Sequence, residues 1–342
     1  MAGRITLTDV ARHAGVSPAT ASLVLRGTGR VGAETRARVR ASMQELGYIY
    51  HRGAASLRAS RSQTIGVIVS DIANIFTAEL TIGLEATLAH EHVVTLTASS
   101  LEDPDRQALL VQAMLERQVD GLMVIPVVDS TPAFIESLAR LPIPVVLASR
   151  EPADHNLTYV GIDNLRGGRL AAEHLLTHGV GSVGYLGGYA EMGPRHDRLA
   201  GVRDVLAHPP RAARVAVDLV GPPTGTWGLA TMQALLAEPT TVPDALVCQN
   251  DEVAFGVFRA LREFERTHAT VPVVRVVSFD DVTEAALWEP PLTSVAAGGK
   301  EVGIRCAEIL HRRIERPDAP AERSLIVPSI TIRESCGCRP QR

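Results

Sequence analysis

"TLTDVARHAGVSPATASLVL", residues 6–25, fits two helical patterns and a sharp turn into one short stretch. Thr6 followed by Asp9 spells a capping box: the hydroxyl accepts from the backbone of Asp9, whose carboxylate reaches back. Leu7, Val10, Ala11 and Ala14 then give one apolar stripe, and Gly15 ends the helix where positive φ is favoured. Ser17 caps a second helix, with Pro18 at its first position, where a missing N–H costs nothing. That helix runs through Ala21, Val24 and Leu25 to Gly27. A third pattern starts near Gly32 and runs AETRARVRASMQEL, with Val39, Met43 and Leu46 inward and Gly47 closing it. Two short helices joined by a Gly-containing turn and braced by a third make a helix-turn-helix. A major groove about 12 Å wide admits the second helix, whose capped N-terminus favours phosphate. The competing reading is a helical hairpin belonging to a larger bundle.

Charge favours the nucleic-acid reading. Residues 1–61 carry ten arginines against Asp9, Glu34 and Glu45, a balance of +7, so the rest of this −4 chain holds −11. A basic head on an acidic body implies that only the head meets a polyanion. The 342 residues, 46% apolar, suffice for two or three domains with real cores. No apolar run reaches 18 residues, which excludes a membrane helix and a membrane partner. Four clustered cysteines and an N-terminus without an apolar signal segment lead us to expect a cytoplasmic protein.

From Ser62 onward, short apolar runs alternate with helical segments. TIGVIVS (64–70), VVTLTAS (93–99), GLMVIPV (121–127) and PVVLASR (144–150) form one series. SVGYLGG (182–188), VAVDLVG (215–221), ALVCQ (245–249) and VRVVSFD (274–280) form another. Two such series imply two doubly wound parallel-sheet lobes, and ligands of such sheets bind beyond the carboxyl ends of the strands. The residues there are Asp71, Asn74 and Phe76 after the first strand, Ser99 and Ser100 after the second, and Arg150 after the fourth. Asp163 and Asn164 follow a crossover strand, Arg198 opens a helical segment, Asn250 and Asp251 follow VCQ, and Asp280 and Asp281 follow VVSF. Arg and Asp with an aromatic plate suit a polyhydroxylated ligand such as a sugar or nucleoside. Asp and Asn after strands are also common helix caps, and Asp251 and Asp281 are read as caps or supports.

TLTDVARHAGVSPATASLVLRG, RVGAETRARVRASMQELGYIYHRGAASLRASRSQTIGVIV, DIANIF, VGIDNLRGGRLAAEHL, DRLAGVRD, QNDEVAFGVFRA, SFDD and PPLTSV, in this order and spacing, resemble the LacI/GalR family of bacterial transcription repressors. The resemblance implies an N-terminal all-α helix-turn-helix head (1–50), a hinge (51–62) and an α/β body (63–342) like a periplasmic binding protein. It places the first lobe at about 63–161 plus 293–321, and the second at about 162–291 plus 322–342. It implies a homodimeric repressor of operator DNA, switched by a small effector, with no cofactor, no metal and no enzymatic activity.

By the same resemblance Ser17, Thr20 and Ser22 hold phosphates, with Thr6 at the start of the first helix, while Pro18, Ala19 and Leu23 face base edges. Arg26 stands where the family often has Asn. In the hinge, Leu57 matches the family's minor-groove wedge, Ala54 and Ala55 allow close packing, and Arg52 and Arg58 take phosphates. Phe76, Arg198, Asn250 and Asp280 match family effector contacts; Asn74, Arg150 and Asp163 follow, with Asp71 and Ser99 beside them. Pro223 departs from the family's aromatic, for which Trp227 is the nearby candidate. AAGG (296–299) replaces a usual polar crossover residue.

Other motifs lead elsewhere only weakly. Gly179, Gly181 and Gly184 form a G-x-G-x-x-G that precedes a strand, the wrong order for a dinucleotide site. Cys336-Gly-Cys338 has no second ligand pair nearby in the sequence. Adjacent Asp280 and Asp281 are a poor pair for a glycosidase, whose carboxylates flank the bond from two sides. No G-x-S-x-G, P-loop or H-E-x-x-H occurs.

Overall fold

The computed structural model describes residues 5–49, 61–208, 213–296 and 298–338. The chain divides into one unit over residues 1–62 and another over 63–342.

In the first unit lie α1 (Leu7–His13), α2 (Pro18–Arg26) and α3 (Ala33–Glu45). The capping box forms: Asp9 N–H donates to Thr6 Oγ1 at 3.3 Å and Thr6 N–H donates to Asp9 Oδ2 at 2.9 Å. Gly15 and Gly27 take the left-handed φ values of +64° and +67° that let the chain turn sharply after α1 and α2. Val10, Ala11, Ala14, Ala21, Val24 and Val39 make the core, whose small side chains let the helices close up. Nδ1 of His13 lies 3.0 Å from Ser42 Oγ and ties α1 to α3.

The second unit begins with β1 (Thr64–Val69), α4 (Ile75–Ala89), β2 (Val94–Ser99), α5 (Pro104–Glu116), β3 (Gly121–Val124), α6 (Pro132–Ala139), β4 (Val145–Ala148) and β5 (Thr158–Ile162). It continues through α7 (Asn164–Leu176), β6 (Ser182–Leu186), α8 (Gly193–Leu206), β7 (Arg214–Leu219), α9 (Gly225–Leu236), β8 (Ala245–Cys248), α10 (Asp251–Glu265), β9 (Arg275–Phe279) and β10 (Thr293–Ala296). It ends with α11 (Gly299–Glu315), β11 (Arg323–Ile326) and β12 (Ser329–Thr331). One sheet has the order β11-β5-β4-β3-β1-β2, all parallel, and the other the order β12-β10-β9-β8-β6-β7, parallel except for antiparallel β12. Central strands β3, β4 and β8 are buried throughout, as strands covered by helices on both faces must be. Edge strands β2 and β7 alternate with exposed positions. Each sheet has apolar clusters on both faces, and Ile75 of α4 packs against a cluster of the opposite lobe.

The lobe boundaries differ from the sequence expectation. β10 pairs with β9 and belongs to the second lobe, whereas β11 pairs with β5 and belongs to the first. The lobes therefore exchange chain between Ala296 and Gly299, and between Ile326 and Ser329, rather than at 292 and 321. Strands of three or four residues carry no pattern that names their sheet; backbone pairing decides it.

Candidate functional site

On the head, Thr6, Ser17, Pro18 and Ala19 are exposed, and Thr20, Ser22 and Leu23 half-buried. Ser17 Oγ accepts from the Thr20 N–H at 3.1 Å and lies 2.9 Å from Thr20 Oγ1. The N-terminal turn of α2 thus presents capped amides and two hydroxyls to solvent, a surface suited to phosphate. Leu23 also packs under the turn after α2, where a Cβ on Gly29 would lie 3.1 Å from its Cδ2. Arg26 is the last residue of α2. Arg52, Ala54, Leu57 and Arg58 lie outside the described residues.

In the body, β1 sits between β2 and β3, and β6 between β7 and β8, so each sheet has a point where its winding reverses. Loops diverge there and leave a crevice at the carboxyl ends of the strands. The two crevices face one cavity of about 250 Å³, lined by Asp71, Asn74 and Arg150 from one lobe and Arg198, Asn250 and Asp280 from the other. Phe76, Tyr189 and Met192 supply apolar wall.

Arg198 is fixed from several sides. Its Nε donates to Asn164 Oδ1 at 2.8 Å and Nη1 to the Gln249 carbonyl at 2.5 Å. Nη2 lies 3.9 Å from Asp280 Oδ1, and the guanidinium carbon stands 4.2 Å from the centre of the Phe279 ring. Asp280 follows β9 with φ of +103°, a conformation rare outside glycine that marks stored strain. Arg150 makes a two-pronged pair with Glu102 at 2.7 and 2.8 Å and also donates to the Pro126 carbonyl, so much of its hydrogen-bonding capacity is already used. Across the cavity, Asn74 Nδ2 donates to Glu252 Oε1 at 3.2 Å, joining the lobes.

The helix-cap reading holds together with cavity lining at two positions. Asn74 Oδ1 accepts from the Thr77 N–H and Asn250 Oδ1 from the Val253 N–H, both at 3.1 Å. Three of the ten candidate residues stand off the cavity lining. Ser99 Oγ accepts from the Ile72 N–H and braces the loop after β1. Asp163 caps α7. Trp227 packs its ring over Gly221, whose Cβ would lie 2.1 Å from it, so the place of the family's aromatic falls to Pro223, which does line the cavity. Sequence reasoning missed Glu102, Tyr189 and Glu252. Asp251 accepts from Ser294 Oγ at 2.7 Å and the Val282 N–H at 2.9 Å, and Asp281 pairs with Arg333 at 2.7 Å; both support the strand ends.

Burial pushes the Asp280 carboxyl up to about 7, with Arg198 opposing and Asp251 adding to the rise. Burial also lifts Asp251 to about 6, against its hydrogen bonds from Ser278 and Ser294. Both values exceed the ordinary 3.8, so the folded chain binds these protons more tightly than the unfolded one. Ionised Asp280 therefore costs stability above pH 7, and that cost is relieved as pH falls from about 7 toward the unfolded value of 3.8, by up to about 1.4 kcal/mol per pH unit. Thermal melts of the chain and Asp280→Asn over this window should show the gain on acidification in the parent and a flatter profile in the variant; parallel profiles would refute it.

Residues 6–50 match bacterial regulatory proteins of the lacI family, and residues 172–336 match the periplasmic binding protein-like domain. The maltose regulon regulatory protein MalI of Escherichia coli (strain K12) is 30% identical over 338 residues, covering 97% of this chain and 98% of that one. The solved complex of the transcriptional regulator CelR with cellobiose is 28% identical, with a TM-score of 0.70 over 97% of this chain and 100% of that one. A lac repressor dimer bound to operator and the anti-inducer ONPF has a TM-score of 0.85 at 24% identity, covering 98% and 99% of the two chains. Among the described residues, no helix is long and apolar enough to cross a membrane.

Proposed function

This chain belongs to the LacI family of bacterial regulatory proteins, and from that premise we propose an operator-binding repressor released by a small polyhydroxylated metabolite, a sugar or a close relative. The observation that carries this reading is the shared cavity at the two winding-reversal points, with Arg198 and Asp280 on one wall and Asn74 on the other. About 250 Å³ lies just below the usual span of small-molecule sites, roughly 300–1,000 Å³, and suits a compact ligand. The complex of the relative CelR with cellobiose supports a carbohydrate.

The head reads one half of a near-palindromic site, and a second copy reads the other. Exposed Ile82 of α4, Val94 of β2, Leu101 in the loop after β2 and Leu109 of α5 put apolar surface on the first lobe, which supports self-association there. Ligand drawn between the lobes competes with or reinforces the Asn74–Glu252 link and so changes how the lobes sit. To move operator occupancy from nearly full to nearly empty it must favour one arrangement by about 5.5 kcal/mol.

The test is a gel shift of the full chain on genomic fragments, with a thermal-shift screen of sugars and nucleosides. Binding to selected fragments, reversed by a compound that raises the melting temperature, is expected. A chain that ignores every duplex at modest salt would overturn the regulatory reading, and a screen without a hit would overturn the effector class. Within the hinge, Leu57→Ala should weaken specific binding at least about tenfold, as loss of a wedge between base steps does, and leave non-specific binding nearly unchanged. Equal loss on both would remove the wedge.

A further inference from the structure

The fold supplies a partner for Cys336-Gly-Cys338 that the sequence does not reveal. His174 in the last turn of α7 and His178 one turn on bring their rings beside the two sulfurs, across some 160 residues of chain. One ligand atom from each of the four residues lies within 4.8 Å of all the others. Cys338 Sγ stands 3.4 Å from His178 Nε2 and 4.0 Å from His174 Nε2, and the two imidazole centres are 5.1 Å apart, nearly perpendicular. Cys336 is fully buried, its sulfur 3.1 Å from Thr293 Oγ1 and 3.3 Å from the Arg333 carbonyl.

Two thiolates and two imidazoles are the donor set of a closed tetrahedral zinc site. With Zn–S near 2.3 Å and Zn–N near 2.0–2.1 Å, a tetrahedron needs S···N of ~3.5 Å and S···S of ~3.8 Å. Cys338 Sγ and His178 Nε2 at 3.4 Å already meet the S···N figure, Cys338 Sγ and His174 Nε2 at 4.0 Å stand just outside it, and no pair in the set exceeds 4.8 Å. Gly337 presses against Arg275, whose Nε would lie 3.2 Å from a Cβ there, so a cation stands at the edge of the cluster. Zinc with two thiolates carries no net charge, so Arg275 does not oppose it. We propose that His174, His178, Cys336 and Cys338 bind one divalent zinc ion, releasing the two thiol protons, and that the ion clips the tail after β12 onto the end of α7. Four protein ligands leave no open position, so the site is structural. The rival state is a Cys336–Cys338 disulfide, which would remove both thiolates from the set.

Metal analysis of the full chain, purified under reducing conditions without chelator, should find close to one zinc per chain. Cys338→Ser and His178→Gln should each lower it at least tenfold. Cobalt added to the metal-free parent should give the visible absorption of a tetrahedral thiolate site, reduced or absent in both variants. A chelator should lower the melting temperature of the parent and leave the variants unmoved. Zinc content unaffected by both substitutions would overturn the assignment. So would a reduced metal-free chain that gives no cobalt spectrum, or a Cys336–Cys338 disulfide in protein trapped with thiol-blocking reagent at lysis.

Discussion

Arg198→Ala should abolish the response to effector, with affinity for the ligand falling at least about 100-fold, while operator binding without ligand stays within about threefold. The size follows from the burial of this guanidinium. Arg198 is held by Asn164, the Gln249 carbonyl and the Phe279 face, so its orientation is set before any ligand arrives. Removing a buried, hydrogen-bonding charge from one side of a binding interface costs roughly 2–5 kcal/mol, and 100-fold corresponds to about 2.7 kcal/mol. Here the group left behind is Asp280, whose carboxyl burial already pushes up to about 7 and Arg198 holds down. Without Arg198 it should take up a proton near neutral pH and turn from acceptor to donor. Arg198→Lys should rescue little, because a point charge cannot reproduce two differently directed donations together with the flat contact on the Phe279 ring. Titration calorimetry of parent and variant with the ligand found by screening measures the loss, and gel shifts with and without ligand measure the response. An unchanged response in Arg198→Ala would move the effector site away from this cavity.

Local rules were readable from the sequence wherever a residue's neighbours in the chain settle its conformation. The Thr6–Asp9 box, the Ser17-Pro18 helix start and the left-handed Gly15 and Gly27 are of this kind. Eight of the strands stand at the apolar runs: the central ones are nearly continuous in apolar residues because both their faces are buried, and edge strands β2 and β7 carry apolar residues among exposed positions. Asn74, Asn250 and Asp280 lie on the cavity because they follow strand ends that face it, whereas Arg198, five residues inside α8 rather than at the opening of a helix, reaches it from that helix. What stayed hidden depends on contacts between distant positions. Glu102 preceded an evident helix cap, and nothing in LEDPDR announces Arg150 as its partner 48 residues later. Glu252 reads as a first-turn acid of α10, yet it meets Asn74 from the other lobe. Cys336 and Cys338 looked isolated for the same reason: His174 and His178 reach them only through the return of the chain after β12.

Gly168→Ala tests whether helix contact positions Arg198, and its sign is opposite to the ordinary expectation. In a helix interior, Gly to Ala normally gains about 1 kcal/mol. At Gly168 in α7, however, an added Cβ would lie 2.0 Å from the Arg198 carbonyl oxygen, and at Gly201 in α8 a Cβ would lie 2.1 Å from the Leu165 carbonyl oxygen. The two helices therefore touch backbone to backbone, and neither neighbour can swing aside as a side chain does. Overpacking of this kind costs about 1–3 kcal/mol and occasionally more. We expect Gly168→Ala to destabilise the chain by about 2–3 kcal/mol, at the upper end of that range because backbone must move. The displaced α8 should also carry Arg198 out of register with Asp280 and weaken effector binding by about tenfold at temperatures where the variant remains folded. Gly66→Ala is the comparison: its Cβ meets Leu122 Cδ2 at 2.5 Å and Met114 Cγ at 3.1 Å, both side-chain atoms that can turn away. Its penalty should be about 1 kcal/mol, at the low end of the overpacking range, with ligand affinity unchanged. Denaturant titrations give the stabilities and calorimetry the affinities. A Gly168→Ala chain that is more stable than the parent, or that binds ligand as tightly, would show that the contact between α7 and α8 does not hold the arginine in place.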